Sequence, residues 1–478
     1  MVQQQVIIPQ TVYMHYETTN STFIDMYRYL KAINVKNNNF FLVLYDRGLA
    51  GVDPRDPNLS YPMKMRVFRE CCANYWYFIR EVVRIPAEGA GGAGVRYAMH
   101  RGNLAMNFLF TLNYSMYVIL PRQNFKSVST LVRYLWVFNF GASYTLMGFF
   151  HKDHGGSKSN LKKLKELRDA LPSYLQMSAE TSKRTGEKLK VPNTVIALGH
   201  KINGNNIVTY PSARSEDQAD KLGRGATVAI LYFDEFAFMP YNSTVYAAAM
   251  PAYSKAADNA KSFNSPYGVC VTTTPGDLIS DEGKFAHQLK SDSIPWAEHY
   301  YDLNYEQLEN LRKSNTKNPF FLVEYSYQQL GRGEDYFKEM VILLAQNWSK
   351  IRREILLEWT IVNENGAFSK EDLDKIKQYC RDPIRTLFFG RSMQYQFQVY
   401  EDIDLRWPPI IGVDVAGANY NDSSTITVVD SRTTKVCACL NCNYMPADDL
   451  ADVIYTLITK YMPSAVCNCE RNGVPFIY

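Results

Sequence analysis

The sequence of 478 residues lacks any long, uninterrupted apolar run. A membrane span needs about 20 such residues. The two longest candidates, residues 106–120 and 131–150, are broken by polar side chains such as Asn107 and Arg133. The N-terminus also lacks the basic and apolar segments of a signal peptide. We therefore predict no membrane contact and a cytoplasmic location.

Strong net charge is absent as well. The chain has 52 Lys and Arg against 48 Asp and Glu, a formal net charge of +4, which excludes a histone-like or polybasic coat protein. Any contact with nucleic acid must come from local patches. Cysteine is scarce and odd in number, at 9, so we expect free thiols and no disulfide framework.

Apolar and aromatic residues are abundant by contrast. Hydrophobic residues make up 46% of the chain, enough to offset the conformational entropy lost on folding into several domains. We predict four segments, which are a helical and turn-rich region (1–95), an α/β core (96–300), a helical lid and linker (301–400) and a second domain (401–478).

The core segment is expected to be an α/β domain with a mostly parallel sheet. From residue 97 onward, short β-rich runs alternate with helical patterns, which is typical of such domains. The strand candidates are residues 115–120, 143–150, 194–198, 206–210, 227–233 and 267–273.

A Lys–Ser pair follows the first of these strands, within the stretch L-P-R-Q-N-F-K-S-V-S-T. The N–H groups at a helix start can bind phosphate, the Lys126 ammonium can reach the terminal phosphates, and the Ser127 hydroxyl can ligate Mg²⁺. The usual glycine-rich loop is missing, and Phe125 stands where a glycine normally precedes the lysine. Taken alone, this motif more often marks an ordinary helix start at the surface.

Two adjacent carboxylates end a later apolar strand, A-I-L-Y-F-D-E. Asp234 can hold Mg²⁺ through water, and Glu235 can polarise the water that attacks a γ-phosphate. Two such acids repel each other and lose hydration, which favours a functional role over a pair of solvated acids at a strand end. Together with Lys126 and Ser127, they predict a site that hydrolyses a nucleotide.

Two further segments fit such a site. Hydroxyls of the T-T-T-P run, Thr273 among them, follow the strand expected beside the carboxylate strand and can sense the γ-phosphate. A plain strand-to-turn junction explains this run almost as well. Arg224 lies between two glycines just before the carboxylate strand, on a flexible loop such as an arginine finger requires.

The order of these motifs resembles the large terminase subunit, the DNA-packaging motor of tailed double-stranded DNA phages. The resemblance rests on P-R-Q-N-F-K-S, G-R-G followed by A-I-L-Y-F-D-E, T-T-T-P and the acids described next. It implies a P-loop ATPase of the ASCE type, with ATP and Mg²⁺ as cofactors. Arg122 and Gln123 belong to the variant phosphate loop, Arg122 contacts phosphate, and Arg224 is a finger that acts across subunits.

The resemblance also implies partners and a place of action. The expected assembly is a homo-oligomeric ring on a procapsid in the host cytoplasm. The expected partners are double-stranded DNA, a portal protein and a small terminase subunit.

The C-terminal segment carries acids on two β-rich runs, Asp414 in I-G-V-D-V-A-G and Glu470 in A-V-C-N-C-E-R-N. In ribonuclease-H-like nucleases, acids on the first and fourth strands hold two Mg²⁺ ions for phosphodiester hydrolysis. The terminase nuclease has this pattern, with Asp414, Asp422 and Glu470 at matching positions, and Mn²⁺ can replace Mg²⁺ there. The family's third acid lies well beyond Glu470, so we predict a partial ribonuclease-H-like domain in this chain.

Two alternatives stay open. A superfamily-2-like helicase or translocase needs a second motor domain with its own arginine motifs, and no such block is visible after Thr274. A nonhydrolysing scaffold that docks DNA or a portal follows if Phe125 blocks the phosphate loop.

Overall fold

The computed structural model describes residues 12–87, 94–176, 191–222, 224, 228–360, 375–376, 378–390, 392–416 and 423–469. Internal contacts divide the chain into two compact units, residues 1–366 and 367–478. The four-segment division drawn from composition stays a prediction. Within the described ranges, no helix combines the length and the apolar character that crossing a membrane demands.

The N-terminal part of the first unit is mainly helical. Its helices are α1 (Ser21–Ala32), α2 (Tyr61–Ala73), α3 (Tyr75–Tyr77) and α4 (Arg101–Thr111). Two antiparallel strand pairs accompany them, β1 (Tyr13–Met14) with β2 (Val43–Leu44) and β3 (Arg84–Ile85) with β4 (Val95–Arg96). Helix α2 begins where the Ser60 hydroxyl accepts a hydrogen bond from the Met63 N–H, with Pro62 in the first turn.

The centre of the first unit is an eight-stranded sheet. Its strands are β5 (Met116–Ile119), β6 (Leu146–His151), β7 (Ala197–Gly199), β8 (Asn206–Thr209), β9 (Ile230–Asp234), β10 (Gly268–Thr273), β11 (Ile294–Pro295) and β12 (Phe321–Glu324). Their order across the sheet is β11-β12-β5-β10-β9-β6-β8-β7. All neighbours run parallel except β7 and β8. The predicted α/β fold with a mostly parallel sheet is confirmed.

Helices follow most of these strands. They are α5 (Lys126–Trp136), α6 (His154–Asp169), α7 (Glu216–Lys221), α8 (Asn242–Ser262), α9 (Asp281–Ser291), α10 (Tyr305–Ser314), α11 (Glu334–Leu343) and α12 (Trp348–Glu354). Strands β5 and β9 are buried along their whole length, as expected for a parallel sheet covered on both faces. Strand β10 lies between β5 and β9. A strand in this position is the additional strand that defines the predicted ASCE type.

A buried polar network ties α4 to the first turn of α5. The Asn107 amide donates to the Tyr97 hydroxyl over 2.8 Å, and that hydroxyl lies 2.7 Å from the Ser129 hydroxyl. Ser129 in turn donates to the Asn103 side chain over 3.1 Å. Buried groups of this kind are costly unless every partner is present, so the network fixes the start of α5 in one position.

The described part of the second unit contains a six-stranded sheet, with a helix between its last two strands in the chain. Its strands are β13 (Arg385–Phe389), β14 (Tyr395–Val399), β15 (Ile410–Asp414), β16 (Ser424–Val429), β17 (Val436–Cys442) and β18 (Val466–Cys469), in the order β13-β14-β17-β16-β15-β18. Helix α13 (Ala447–Thr456) connects β17 and β18. Strand β15 runs antiparallel to β16 and parallel to β18. This is the predicted ribonuclease-H-like arrangement, in which β15, the strand that ends at Asp414, lies beside β18.

Candidate nucleotide-binding site

Three strands of the first unit end at the same edge of the sheet. Because β5, β9 and β10 are parallel and adjacent, their carboxyl ends lie side by side. The register pairs Thr272 with Asp234 and Thr273 with Ile119. The segments that carry the Lys–Ser pair, the two acids and the threonines therefore converge at this edge, the usual ligand site of an open α/β sheet.

The loop between β5 and α5 adopts left-handed backbone conformations without glycine. Gln123 and Phe125 both have φ of 61°, where a side chain costs about 1–2 kcal/mol per residue. Phe125 is the residue directly before the first helical residue, Lys126. The phosphate-loop conformation that glycines would make easily is therefore formed here under local strain.

Lys126 connects the ends of β5 and β10. Its buried Nζ donates to the Leu120 carbonyl over 2.7 Å and to the Thr273 carbonyl over 3.1 Å. Burial lowers the pKa of Lys126 to about 8, an effect that the nearby Glu235 and Asp234 carboxylates partly offset. The ammonium group is thus held away from water, and a bound phosphate would offset the cost of that burial.

Asp234 accepts four hydrogen bonds at the site. Its Oδ2 accepts hydrogen bonds from the Ser127 hydroxyl over 3.3 Å and from the Asn160 amide over 2.9 Å. Its Oδ1 accepts from the Thr272 hydroxyl over 2.7 Å and from the Glu235 N–H over 3.1 Å. Four donors fix the carboxylate in one orientation.

Asn160 is a residue that the sequence motifs did not indicate. It lies on α6, whose N-terminus is capped by the Asp153 side chain accepting from the Gly156 N–H over 2.6 Å. The sequence gives no sign of its role, because a single Asn within a Lys-rich amphipathic helix reads as an ordinary polar residue.

Glu235 follows β9 in a left-handed conformation, with φ of 55° and ψ of 44°. A short 3₁₀ turn, Phe236–Phe238, comes next, and the Ala237 N–H donates to the Thr273 hydroxyl over 3.1 Å. Backbone strain of this kind persists only where the surroundings enforce it, and it is concentrated at functional sites. Glu235 is half-buried and lines the cavity described next.

A cavity of about 500 Å³ opens at this edge of the sheet. Basic side chains outnumber acidic ones among its described lining residues, with five of the former and two of the latter, Arg122, Lys126, Lys152, Lys163 and Arg353 against Glu235 and Glu354. Its size is within the range of small-molecule sites. The charge balance suits a polyanionic ligand.

The phosphate loop is joined to α12 at two points. The Arg122 N–H donates to the Glu354 carbonyl over 2.9 Å, and the Arg122 guanidinium donates to the Glu354 carboxylate, also over 2.9 Å. The hydrogen bond to this carboxylate raises the pKa of Arg122. Glu354 is far along the chain from the loop, and no local pattern in the sequence indicated this pair.

Thr273 and Gln123 occupy different settings at the site. Gln123 lines the cavity, as predicted for a loop residue. Thr273 is fully buried, and its hydroxyl donates to the Thr274 carbonyl over 2.8 Å. Its neighbour Thr274 lines the cavity.

Arg224 lies apart from the phosphate loop. The guanidinium is exposed and bonds to Asp220, through the carbonyl over 2.8 Å and through the carboxylate. It lines a separate depression with Ser243 and Thr244 of α8. Gly223 and Gly225, which flank it, lie outside the described residues.

The residues expected to bind Mg²⁺ fit that ion. Mg²⁺ is usually held by one or two protein oxygens, with phosphate oxygens and water completing an octahedron. The Ser127 hydroxyl and the Asp234 carboxylate supply two such oxygens within hydrogen-bonding distance of each other. Over the part of the chain that the structure describes, no group of three or more His, Cys, Asp and Glu side chains forms a metal cage.

One of the three predicted nuclease acids is described. Asp414 is exposed and ends β15, where it pairs with Thr425 of β16. The preceding residue, Val413, pairs with Cys469 of β18. Asp422 and Glu470 lie outside the described residues.

The first unit is a P-loop-type α/β fold with a basic cavity at the carboxyl ends of its central strands, and the second unit is built on a six-stranded sheet. Solved large terminases are similar to this chain. The ATPase domain of the Thermus phage P74-26 large terminase is 16% identical, with a TM-score of 0.36, and the similarity covers 58% of this chain and 99% of that one. The HK97 bacteriophage large terminase is 11% identical, with a TM-score of 0.36, over 84% of this chain and 74% of that one.

A large terminase from a thermophilic bacteriophage, solved in complex with ADP, is also 11% identical, with a TM-score of 0.34, over 78% of each chain. No family model and no curated protein matches the sequence. At these levels of similarity, the chemistry has to be derived from the residues of the site themselves.

Proposed function

We propose that the chain is an ATPase that drives double-stranded DNA into a viral procapsid, with a metal-dependent endonuclease segment at its C-terminal end. The observation that supports the ATPase most strongly is the convergence of Lys126, Ser127 and Asp234. The Ser127 hydroxyl lies 3.3 Å from the Asp234 carboxylate, and Lys126 bonds to the strand beside that acid. Two motifs far apart in sequence thus form one site.

Binding relies on positive groups at the start of α5. The free N–H groups of the first helical turn and the Lys126 ammonium bind the β- and γ-phosphates. Arg122 contacts phosphate once it exchanges its partner, the Glu354 carboxylate, for the ligand. The excess of basic side chains around the cavity draws in the nucleotide from solution.

Ser127 and Asp234 hold the magnesium ion that accompanies ATP. When bound, this ion neutralises the charge that develops on the phosphates during transfer. The protein's contribution is orientation, because the four hydrogen bonds to Asp234 keep its carboxylate in place before the nucleotide arrives.

Glu235 positions and polarises the water that attacks the γ-phosphate. Its carboxylate lines the same cavity as Lys126, and its left-handed backbone fixes the direction in which the side chain leaves β9. Thr272 and Thr273 connect hydrolysis to the rest of the sheet. The Thr272 hydroxyl donates to the Asp234 carboxylate, and the Thr273 carbonyl accepts from the Lys126 ammonium.

DNA packaging is the use of ATP that the motif order favours. We expect double-stranded DNA, a portal protein and a small terminase subunit as partners, and a ring of identical subunits in which Arg224 reaches the site of a neighbour. An exposed guanidinium that lies outside its own subunit's cavity is compatible with that role.

The endonuclease proposal rests on Asp414. It ends a strand whose parallel neighbour leads directly, in sequence, to Glu470. We propose that Asp414, Asp422 and Glu470 hold Mg²⁺ or Mn²⁺ for cutting DNA. Cleavage of plasmid DNA by the whole chain should require one of these ions and should be lost in Asp414→Asn. Cleavage by that variant at the parental rate contradicts the assignment.

Glu235→Gln tests the ATPase. We expect ATP hydrolysis to fall below detection while ATP binding stays close to that of the parent, and DNA to stimulate hydrolysis only in the parent. The substitution keeps the size of the side chain and removes the charge that lets it act as a base. If Glu235→Gln hydrolyses ATP at the parental rate, the assignment of the base is wrong. If the parent chain binds no ATP at all, the alternative of a nonhydrolysing scaffold is favoured over the motor.

A further inference from the structure

Three basic residues that belong to none of the sequence motifs line the same cavity as Lys126, and two of them, Lys152 and Arg353, lie against one aromatic ring. Lys152 directly follows β6, the strand that neighbours β9. Arg353 is in the last turn of α12, next to Glu354, the residue that bonds to Arg122. The two thus approach the cavity from different elements of the first unit.

Both basic groups lie against one aromatic ring. The Lys152 Nζ is 5.5 Å and the Arg353 Cζ is 5.3 Å from the centre of the Phe238 ring. A cation within about 6 Å of a ring centre is attracted by the ring's negative faces. Phe238 therefore holds two long, otherwise adaptable side chains in defined positions.

Phe238 in turn is tied to Glu235. It is the last residue of the 3₁₀ turn that starts directly after Glu235. The turn is anchored on β10 by the hydrogen bond from Ala237 to Thr273. The two basic groups therefore lie against the turn that directly follows Glu235.

Gathering positive charges around one cavity is unfavourable without an anion, because like charges repel. The described lining residues include five basic side chains and two carboxylates. A nucleoside triphosphate carries one more phosphate group than a diphosphate, and under the proposed function this is the group that faces Glu235.

We propose that Lys152 and Arg353 bind the terminal phosphate of ATP, so that the chain distinguishes ATP from ADP with basic groups of its own in addition to any finger from a neighbouring subunit. This inference rests on the proposed ATPase function. It makes α12 a direct reporter of the terminal phosphate, since Arg353 and the partner of Arg122 are consecutive residues of that helix.

The test compares two ligands in competition with a fluorescent ADP analogue. In Lys152→Gln and in Arg353→Gln, the affinity for ATPγS is expected to fall about tenfold, as for loss of a charged hydrogen bond, while the affinity for ADP changes less than about twofold. Arg353→Lys should keep most of the preference for ATPγS. Lys162→Gln is the matched control, because Lys162 is exposed on α6 and pairs with Glu166.

A purely structural role gives a different result. If the substitutions weaken ATPγS and ADP equally, or weaken neither, the inference is wrong, and circular dichroism shows whether the variants are folded. The proposed function fails separately, when the parent chain binds neither ligand. A parent that prefers ATPγS and hydrolyses ATP, with variants that keep the same preference, overturns the inference alone.

Discussion

The hydroxyl of Ser127 donates a hydrogen bond to the carboxylate of Asp234 over 3.3 Å, although 107 positions separate the two residues in the chain. Ser127 is on the first turn of α5 and Asp234 ends β9, with β10 between the two strands concerned. A direct contact between these two oxygens across an intervening strand requires both side chains to lean over the carboxyl edge of the sheet. That edge is where a nucleotide and its metal ion meet in P-loop proteins.

Asn160→Ala is expected to lower the turnover of ATP about tenfold, the usual effect of losing a hydrogen bond to a charged group. The substitution removes the 2.9 Å bond to Asp234 and lets the carboxylate rotate. The Mg²⁺ concentration that gives half-maximal activity should rise as well. Steady-state hydrolysis measured across a Mg²⁺ series checks both effects.

Ser159→Ala on the exposed side of the same helix is the control for that series and should behave like the parent. An unchanged Mg²⁺ dependence in Asn160→Ala would show that Asn160 supports the fold and does not orient Asp234.

Nucleotide affinity should depend on pH through Lys126. Burial lowers the pKa of the free Lys126 to about 8, and bound phosphates raise it. Below pH 8, Lys126 is protonated before ATP arrives, and the affinity for ATP is at its highest. As the pH rises from the pKa of the free chain towards that of the complex, binding has to take up a proton, and the affinity falls. Calorimetric titrations in buffers of different ionisation enthalpy measure that proton.

Lys126→Met cannot take up this proton. Its affinity for ATP should be lower than that of the parent and should not change over the same range of pH. If the affinity for ATP falls with pH equally in the parent and in Lys126→Met, the group that titrates is not Lys126.

The phosphate loop should tolerate glycine at position 125 and reject a β-branched residue. Phe125 has φ of 61°, which glycine adopts freely and valine resists. Phe125→Gly is expected to keep ATP affinity within about twofold, whereas Phe125→Val loses about tenfold as the loop leaves its binding conformation. If the glycine variant binds ATP and the parent does not, the phenylalanine blocks the site.

Glu354 competes with phosphate for Arg122. Glu354→Gln keeps the main-chain bond from the loop but removes the charge that holds the guanidinium. We expect ATP to bind about threefold to tenfold more tightly in this variant, because Arg122 is released for the ligand. Arg122→Gln should have the opposite effect, and adding salt should shrink both differences. Weaker binding in Glu354→Gln would mean that the ion pair assembles the site.

The parts of the site that the sequence predicted are those with a local signature. Lys126 and Ser127 open a helix after a buried strand, and Asp234 and Glu235 end another. Because parallel strands bring their carboxyl ends to one edge, the local patterns alone were enough to predict that these four residues meet. The strand bounds were also close, with residues 267–273 expected and Gly268–Thr273 found.

The remaining contacts could not be predicted because they depend on tertiary packing. Asn160 and Glu354 reach the site from helices whose own sequences show nothing unusual, and only the packed structure brings them there. The left-handed backbone of Phe125 likewise has no sequence signal, since phenylalanine rarely adopts it. A run of three threonines does not reveal which side chain lines the cavity, and in the structure it is Thr274.

The most direct test of the nucleotide site is the equilibrium binding of a fluorescent ATP analogue to the parent chain and to Lys126→Ala. The account predicts saturable, Mg²⁺-dependent binding to the parent and a loss of at least about tenfold in the variant, whose ammonium group no longer meets the phosphates. Equal binding to both proteins, or none to the parent, would contradict it.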